Sequence, residues 1–221
     1  MPSLQTIQIE TKSEPDSAVI WLHGLGADGN DFAPIIPQLN LSESLAVRFI
    51  FPNAPIIPIT INQGYQMPGW YDIVSNDIVS GEDEQGIIDT STTIQQICEQ
   101  QEVSGISAQR IILAGFSQGG AIALHCGLRY PRTLGGIMAL STYLPRRSSL
   151  NDEAALTNQS TDIFMAHGLQ DTVVAPEFGR QSFELLTAAG YPVHWHEYAM
   201  PHSVCLEEIN DIGRWLDNRL S

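Results

Sequence analysis

Short apolar runs alternate with longer amphipathic stretches along almost the whole chain. The runs are typical of strands covered on both faces, and the stretches carry apolar residues at helical spacing. This alternation favours an α/β fold with a mainly parallel central sheet and helices on both faces. We predict strands at 4–9, 18–22, 46–51, 110–115, 135–141, 162–166 and 193–198, and helices at 32–39, 87–105, 117–130, 176–189 and 203–220.

Ligands of parallel sheets bind at the carboxyl ends of the strands, so the residues that follow each predicted strand are the candidates for function. Asp28 or Asn30 is the expected N-cap of the first helix. The chain from 52 to 81 is predicted to be irregular, and the segment 142–160 to be polar and irregular with one helical turn.

Composition and charge limit the classes of function. The 221 residues, 43% of them hydrophobic, fit one domain with a sizeable core. The formal net charge of −15 argues against binding to nucleic acid or to an anionic membrane surface. No signal peptide or membrane-length apolar run is visible, so we expect a cytoplasmic protein. The three cysteines, Cys98, Cys126 and Cys205, are too widely spaced for a disulfide scaffold or a thiolate metal site.

The pattern Gly115-Phe116-Ser117-Gln118-Gly119 lies between a predicted strand and a predicted helix. The serine of a G-x-S-x-G pattern in this context occupies a tight turn, with its hydroxyl exposed above the sheet. The glycines remove Cβ atoms that would clash in the turn, and the N–H of Gln118 points toward a developing oxyanion. Ser117 is therefore a candidate nucleophile. The alternative is a serine that only caps the helix.

A serine nucleophile needs a base, and the base needs an acid that orients it. Asp171 follows the strand predicted at 162–166, and His202 follows the strand predicted at 193–198. The order serine, acid, histidine, each beyond a later strand, is that of an α/β-hydrolase triad. We predict a triad of Ser117, Asp171 and His202. His167 also follows a strand, but it precedes the acid, so we interpret it as structural.

The loop after the first apolar strand admits two interpretations. Residues 24–29 match G-x-G-x-x-G, the fingerprint of dinucleotide binding, but the next strand ends at Phe51-Pro52-Asn53 without the acid that would hold a ribose. In α/β-hydrolases this loop supplies the second oxyanion donor, which here would be the N–H of Leu25. We favour the oxyanion interpretation.

The remaining histidines are expected to be structural. His194 and His196 face the same side of a strand, but no third ligand is clustered with them, which disfavours a metal site. His125 lies within the helix after Ser117 and is interpreted as a core or helix-face residue.

Together the motifs resemble the phospholipase/carboxylesterase family of α/β-hydrolases, which includes acyl-protein thioesterases and small bacterial carboxylesterases. The resemblance covers nearly the whole chain and implies the α/β-hydrolase fold in a single domain, 1–221, with no large lid, often as a homodimer. It also implies the triad above, with the amides of Leu25 and Gln118 as the oxyanion hole. The motifs that carry it are Leu22-His23-Gly24-Leu25-Gly26, Phe51-Pro52-Asn53-Ala54-Pro55, Trp70-Tyr71-Asp72, Arg110-Ile111, Gly115-Phe116-Ser117-Gln118-Gly119-Gly120, His167-Gly168 with Asp171, and Pro201-His202.

The implied function is that of a serine hydrolase that cleaves short- to medium-chain carboxylic esters or thioesters without a cofactor or metal. Its substrate would be a small ester or thioester, an acylated protein or a lysophospholipid. The alternatives are an acyltransferase, a lysophospholipase, a non-catalytic ligand-binding relative and the dinucleotide-binding protein considered above.

The pocket rim is expected to come from 52–81 and 142–160, and Trp70 and Val173 are expected to line the pocket. Trp70 equally fits a role in packing its loop onto the domain. Bacterial members commonly carry an arginine shortly before the Trp-Tyr-Asp element, where this chain has Pro68 and Gly69. This departure leaves the acyl-chain preference open.

Overall fold

A computed structural model describes residues 4–75 and 81–221. Seven strands form the central sheet in the order β1-β3-β2-β6-β7-β8-β9, and β4 and β5 form a separate two-stranded sheet. Within the central sheet β1 pairs antiparallel with β3, and the other neighbours are parallel. The strands are β1 (Thr6–Glu10), β2 (Ser17–Leu22), β3 (Val47–Pro52), β4 (Ile56–Ile59), β5 (Tyr65–Pro68), β6 (Ile111–Phe116), β7 (Gly136–Leu140), β8 (Ile163–Gly168) and β9 (Val193–Tyr198). The predicted mainly parallel sheet is confirmed.

Helices cover both faces of this sheet, as predicted. They are α1 (Glu84–Val103), α2 (Gln118–Arg129), α3 (Leu150–Glu153), α4 (Pro176–Ala188) and α5 (Leu206–Leu220). Alternate residues of the central strands separate the two faces. Ile112 and Met138 pack in the cluster that contains the apolar stripe of α5, whereas Ile111 and Ile137 pack toward α1, α2 and α4. Within 4–75 and 81–221, no helix has the length and apolar character needed to cross a membrane.

The helix predicted at 32–39 is instead a 3-10 helix, Ala33–Leu39. Pro37 lies inside it and lacks the N–H that an α-helix would use, which explains the tighter winding. The predicted caps were also wrong, because Phe32 holds the N-cap position without a side-chain bond and Asp28 accepts from the N–H of Asn30. The apolar stripe was right: Ile35, Ile36 and Leu39 are buried.

The segment predicted to be irregular from 52 to 81 contains the hairpin of β4 and β5. The strands pair from Ile56 with Pro68 to Ile59 with Tyr65 and are joined through a 3-10 turn, Thr60–Asn62. Prolines are tolerated because a two-stranded sheet leaves each strand with an unpaired edge. Residues 76–80 of the predicted rim lie outside the described residues. In the second rim segment the predicted helical turn is α3, and two 3-10 turns, Arg147–Ser149 and Leu156–Asn158, flank it. Tyr143, Leu144 and Leu150 are buried, so the segment is less polar inside than predicted.

Candidate active site

Ser117 lies at the turn between β6 and α2, at the centre of the sheet's carboxyl edge. Its backbone has φ 54° and ψ −122°, a conformation that L-residues rarely adopt and that persists where surrounding structure enforces it. Two hydrogen bonds enforce it here: the N–H of Ser117 donates to the carbonyl of Leu140 at 2.8 Å, and its own carbonyl accepts from the Thr142 hydroxyl at 2.6 Å. The turn is the strained elbow that the G-x-S-x-G pattern predicts.

Close backbone contacts explain the glycines on either side of Ser117. A Cβ at Gly115 would lie 2.2 Å from the carbonyl oxygen of Gly119, and a Cβ at Gly119 would lie 2.4 Å from that of Leu22. Real Cβ atoms do not approach this closely, so only glycine allows the turn to press against β2. The glycine role inferred from the sequence is confirmed by these distances.

Asp171 and His202 meet at the same edge. The Nδ1 of His202 lies 2.6 Å from Oδ2 of Asp171, and the other carboxylate oxygen accepts from the N–H groups of Val173 and Val174, each at 2.9 Å. Burial alone would raise the pKa of Asp171, but hydrogen bonds from His167, His202 and the two amides outweigh it and hold that pKa well below its usual range. Asp171 is therefore an anion, and it fixes the proton of His202 on Nδ1.

The ring of Phe116 contacts the ring of His202. The two ring centroids are 4.7 Å apart, and Phe116 directly precedes Ser117. The described hydrogen bonds join His202 to Asp171 but do not include one between His202 and Ser117. Hydrolases often form that bond only once substrate is bound.

The loop after β2 presents a free amide beside the elbow. Leu25 N–H donates to no described residue, whereas the next amide, that of Gly26, donates to the carbonyl of Pro68 at 2.8 Å. The N–H of Gln118 lies in the first turn of α2, where a helix provides no internal acceptor. Both predicted oxyanion donors are thus available, and the β4–β5 hairpin anchors the loop that carries one of them.

The Gln118 side chain fastens the Trp70 loop to the elbow. Its Oε1 accepts from the N–H of Trp70 at 2.8 Å, and its Nε2 donates to the carbonyl of Tyr71 at 2.7 Å. The Trp70 indole in turn donates to the carbonyl of His23 at 2.8 Å. These contacts favour the packing role of Trp70, whose side chain is buried.

The two residues expected to line the pocket lie in different settings. Trp70 borders a cavity of about 300 Å³ on the α1 side, whose lining includes Leu4, Ile57, Tyr71 and Thr90 but neither Ser117 nor His202. Val173 is 68% exposed on the loop that carries Asp171. Contact of either side chain with substrate stays a prediction.

The remaining histidines are engaged in structural contacts. His194 pairs with Asp162 at 2.7 Å, and His196 lies 4.0 Å from Asp211. Among the described residues, no cluster of three or more histidine, cysteine or acidic side chains could hold a metal ion.

The glycine loop at 24–29 leads into a 3-10 helix, and the side chain of Asn53 already accepts from Gly29 N–H at 2.7 Å. A dinucleotide would therefore find no α-helix N-terminus there.

Comparison with known proteins agrees with this geometry. The model of the Phospholipase/Carboxylesterase family matches residues 4–220. The chain belongs to the phospholipase/carboxylesterase family. Its relatives include acyl-protein thioesterase 1 of Mycosarcoma maydis, 37% identical over 98% of both chains, and that of Neurospora crassa, 41% identical over 92% of this chain and 87% of the relative.

Solved structures confirm the α/β-hydrolase fold of this family member. SOBER1 of Arabidopsis thaliana superposes with a TM-score of 0.88 at 32% identity, covering 93% of this chain and 99% of SOBER1. Acyl-protein thioesterase 2 of Zea mays superposes with a TM-score of 0.86 at 25% identity, covering 98% and 99%. The family and fold inferred from the motifs are thus confirmed.

Sequence reasoning missed four features of this family member's site. The Gln118 side chain bonds to Trp70, which is 48 positions away in the sequence, and the Thr142 hydroxyl bonds to Ser117, which is 25 positions away. No local sequence pattern predicts contacts between residues so far apart. The hairpin was missed because prolines are rare in paired strands. His167 was recognised only as structural, although its place in the same short motif as Asp171 was a usable signal.

Proposed function

We propose that this chain is a serine hydrolase that cleaves short- to medium-chain carboxylic esters or thioesters through an acyl-enzyme. The observation that carries the proposal is the 2.6 Å contact between Asp171 and His202, at the sheet edge where Ser117 occupies the strained elbow. Relatives named as acyl-protein thioesterases and a probable carboxylesterase of Oryza sativa support the same chemistry.

In the proposed reaction, Nε2 of His202 removes the proton of Ser117 as the serine oxygen attacks the acyl carbonyl. Asp171 keeps the Nδ1 proton in place and stabilises the imidazolium that forms. His202 then donates the proton to the leaving alkoxide or thiolate. In the second half, His202 activates water, which releases the carboxylic acid and restores the serine.

The amides of Leu25 and Gln118 would hold the negative oxygen of both tetrahedral intermediates. Amides fixed before the reaction need no reorganisation as charge develops, and losing one such donor typically costs about 10²–10³-fold in kcat. The hydrogen bond from Gly26 to Pro68 supports this role because it fixes the loop without using Leu25 N–H.

The substrate class follows from this chemistry and from the charge. An acylated protein, a small thioester or ester, and a lysophospholipid all present the required acyl carbonyl. The net charge of −15 favours neutral, zwitterionic or cationic molecules over anionic ones. No cofactor enters any step.

We further propose a single domain over 1–221 without a large lid, a cytoplasmic location and assembly as a homodimer. The single domain is supported by the seven-stranded sheet, which contains both β1 near the start of the chain and β9 near its end. Sedimentation of the purified chain tests the dimer.

The deciding experiment compares the wild type with Ser117→Ala on two chain-length series, p-nitrophenyl esters and acyl thioesters. Ser44→Ala, which removes an exposed hydroxyl, is the matched control. We expect turnover by the wild type and the control, none by Ser117→Ala, and fluorophosphonate labelling that requires Ser117. Equal turnover by all three proteins, or by none, would overturn the proposal. The ratio of the two series then measures the ester or thioester preference.

A further inference from the structure

Asp171 has a second imidazole beside it, that of His167. The Nε2 of His167 lies 3.4 Å from Oδ2 of Asp171, the oxygen that also contacts His202. The same Nε2 lies 2.9 Å from the carbonyl oxygen of Val174, whose N–H holds the other oxygen of Asp171. The ring therefore links the end of β8 to Val174 and lies beside the carboxylate of Asp171.

These contacts determine the proton position on His167. A carbonyl oxygen only accepts, so the Nε2 facing Val174 must carry a hydrogen. The Nδ1 is buried and has no hydrogen-bond partner among the described residues. A charged ring would bury a second, unsatisfied N–H, which is costly. His167 is thus a neutral Nε2–H donor.

Packing prevents this ring from acting as the base. His167 is 1% exposed, and a Cβ built on Gly179 would lie 2.4 Å from its Nδ1. The Trp195 ring packs nearby, with centroids 6.2 Å apart. The titratable groups that these contacts place against His167 are Asp171 and, through it, His202. Gly179 of α4 and Trp195 of β9 contact the ring, and β9 also places Glu197, paired with Arg180 of α4, in register beside His167.

We propose that His167 is a positioning residue for the reaction: its fixed N–H, donated to the Val174 carbonyl, closes the loop that carries Asp171 and lies beside the Asp171 carboxylate, without exchanging a proton. The inference rests on the proposed roles of Asp171 and His202. With two amides on one oxygen and two imidazoles facing the other, the carboxylate can neither rotate nor readily accept the proton of His202.

A consequence for pH dependence follows. The His167 N–H stabilises the anion of Asp171, so its removal makes that carboxylate a stronger partner for a protonated His202. The acid limb of the kcat/KM profile, which reports protonation of the base, should then move to higher pH. A residue that only fills space would not move that limb.

The variants His167→Gln and His167→Leu test the proposal, because Gln can place an N–H near the position of Nε2 and Leu cannot. We expect His167→Leu to lower kcat/KM by about 10-fold, the usual loss for a buried hydrogen bond, and to move the acid limb of the profile to higher pH. His167→Gln should restore most of the rate and the wild-type limb. The proposal would be overturned if His167→Leu left kcat/KM and the acid limb of its pH profile unchanged, or if it moved that limb to lower pH.

A measurement on the wild type covers the case in which His167→Leu does not fold. Nitrogen-15 chemical shifts of the histidine rings should report a single Nε2–H tautomer of His167 at every pH at which the enzyme is active. A proton on Nδ1, or titration of His167 together with His202, would overturn the proposal. Ser117→Ala in the same assays separates the outcomes: if it is inactive while His167→Leu behaves as wild type, only the role of His167 fails.

Discussion

The Nδ1 of His23 lies 2.7 Å from the carbonyl oxygen of Gly24, while Nε2 of the same ring accepts from the N–H of Ala54 at 3.0 Å. Because Nε2 accepts, the proton is on Nδ1, which donates to Gly24. That carbonyl belongs to the same trans peptide unit as Leu25 N–H, so the two point in opposite directions. His23 thereby fixes the orientation of the Leu25 amide.

Replacing His23 should therefore slow turnover more than it weakens substrate binding. We expect His23→Leu to lower kcat by about 10- to 100-fold with a smaller change in KM, because an oxyanion donor acts mainly in the transition state. His23→Asn keeps an N–H near the position of Nδ1 and should retain more activity. Steady-state kinetics of both variants, with circular dichroism to check folding, would decide. Equal kcat values for the two would argue against an aimed amide.

The Gln118 side chain holds the Trp70 loop through two hydrogen bonds, and a substitution can remove one of them. Gln118→Glu keeps the acceptor for Trp70 N–H but removes the donor to the Tyr71 carbonyl and places a negative oxygen against it. We expect a loss of about 1–3 kcal/mol in the free energy of unfolding, typical of a buried unsatisfied group. Urea denaturation measures it, with Gln38→Glu on the surface as the control. A loss no larger than the control's would mean that the loop holds without this bond.

His125 should make the protein sensitive to acid. Burial, reinforced by the charges of Arg129 and Arg146 and opposed by Glu153, lowers its pKa to about 3. A folded-state pKa below the unfolded value gives stability that is present above pH 6.5 and is lost as the pH falls toward 3. The slope cannot exceed about 1.4 kcal/mol per pH unit for one proton.

We expect His125→Gln to flatten the dependence of unfolding free energy on pH in that window. Urea denaturation at several pH values measures the slope, and Gln38→Asn at an exposed, uncharged position is the control. If both variants keep the wild-type slope, acid sensitivity arises elsewhere.

The buried carboxyl of Glu208 should make the protein less stable at high pH, whereas His125 makes it less stable at low pH. Its side chain is fully buried in the first turn of α5, and neither carboxyl oxygen has a partner with hydrogen-bond geometry among the described residues. Burial, opposed by the nearby Cys205 amide and reinforced by the Asp211 carboxylate, raises its pKa to about 8. The contribution of Glu208 to the free energy of unfolding is then fully present below pH 4.5 and is lost as the pH rises through about 8.

Glu208→Gln removes the titration with little change of shape and should be more stable than the wild type at pH values above about 8. Glu207→Gln, the exposed neighbour, should not be. Thermal unfolding at pH 6 and pH 9 compares the three proteins. A Glu208→Gln variant that loses stability equally at both pH values would contradict a neutral buried carboxyl.

Sequence order predicted the strands and the candidate triad because both depend on local patterns repeated at strand ends. The failures have identifiable physical causes. In the 3-10 helix, the proline inside the helix, Pro37, overrode an apolar stripe at α-helical spacing, and the hairpin formed where local proline content argued against strands. The support of Asp171 by His167 and of Leu25 by His23 depends on ring orientation, which packing from distant elements determines.

The bond between Gly26 and Pro68 has a consequence for protein engineering. Because a strand of the hairpin holds the loop that carries Leu25 directly, changes in strand length or register would be transmitted to that loop and, in the proposed mechanism, to the reaction rate. The turn is different: a Cβ at Gly64 would meet no atom within 4 Å, and Gln63 and Gly64 both have left-handed backbone. A reporter peptide inserted between these two residues can therefore extend into solvent while both strands, and the amide that they fix, keep their positions.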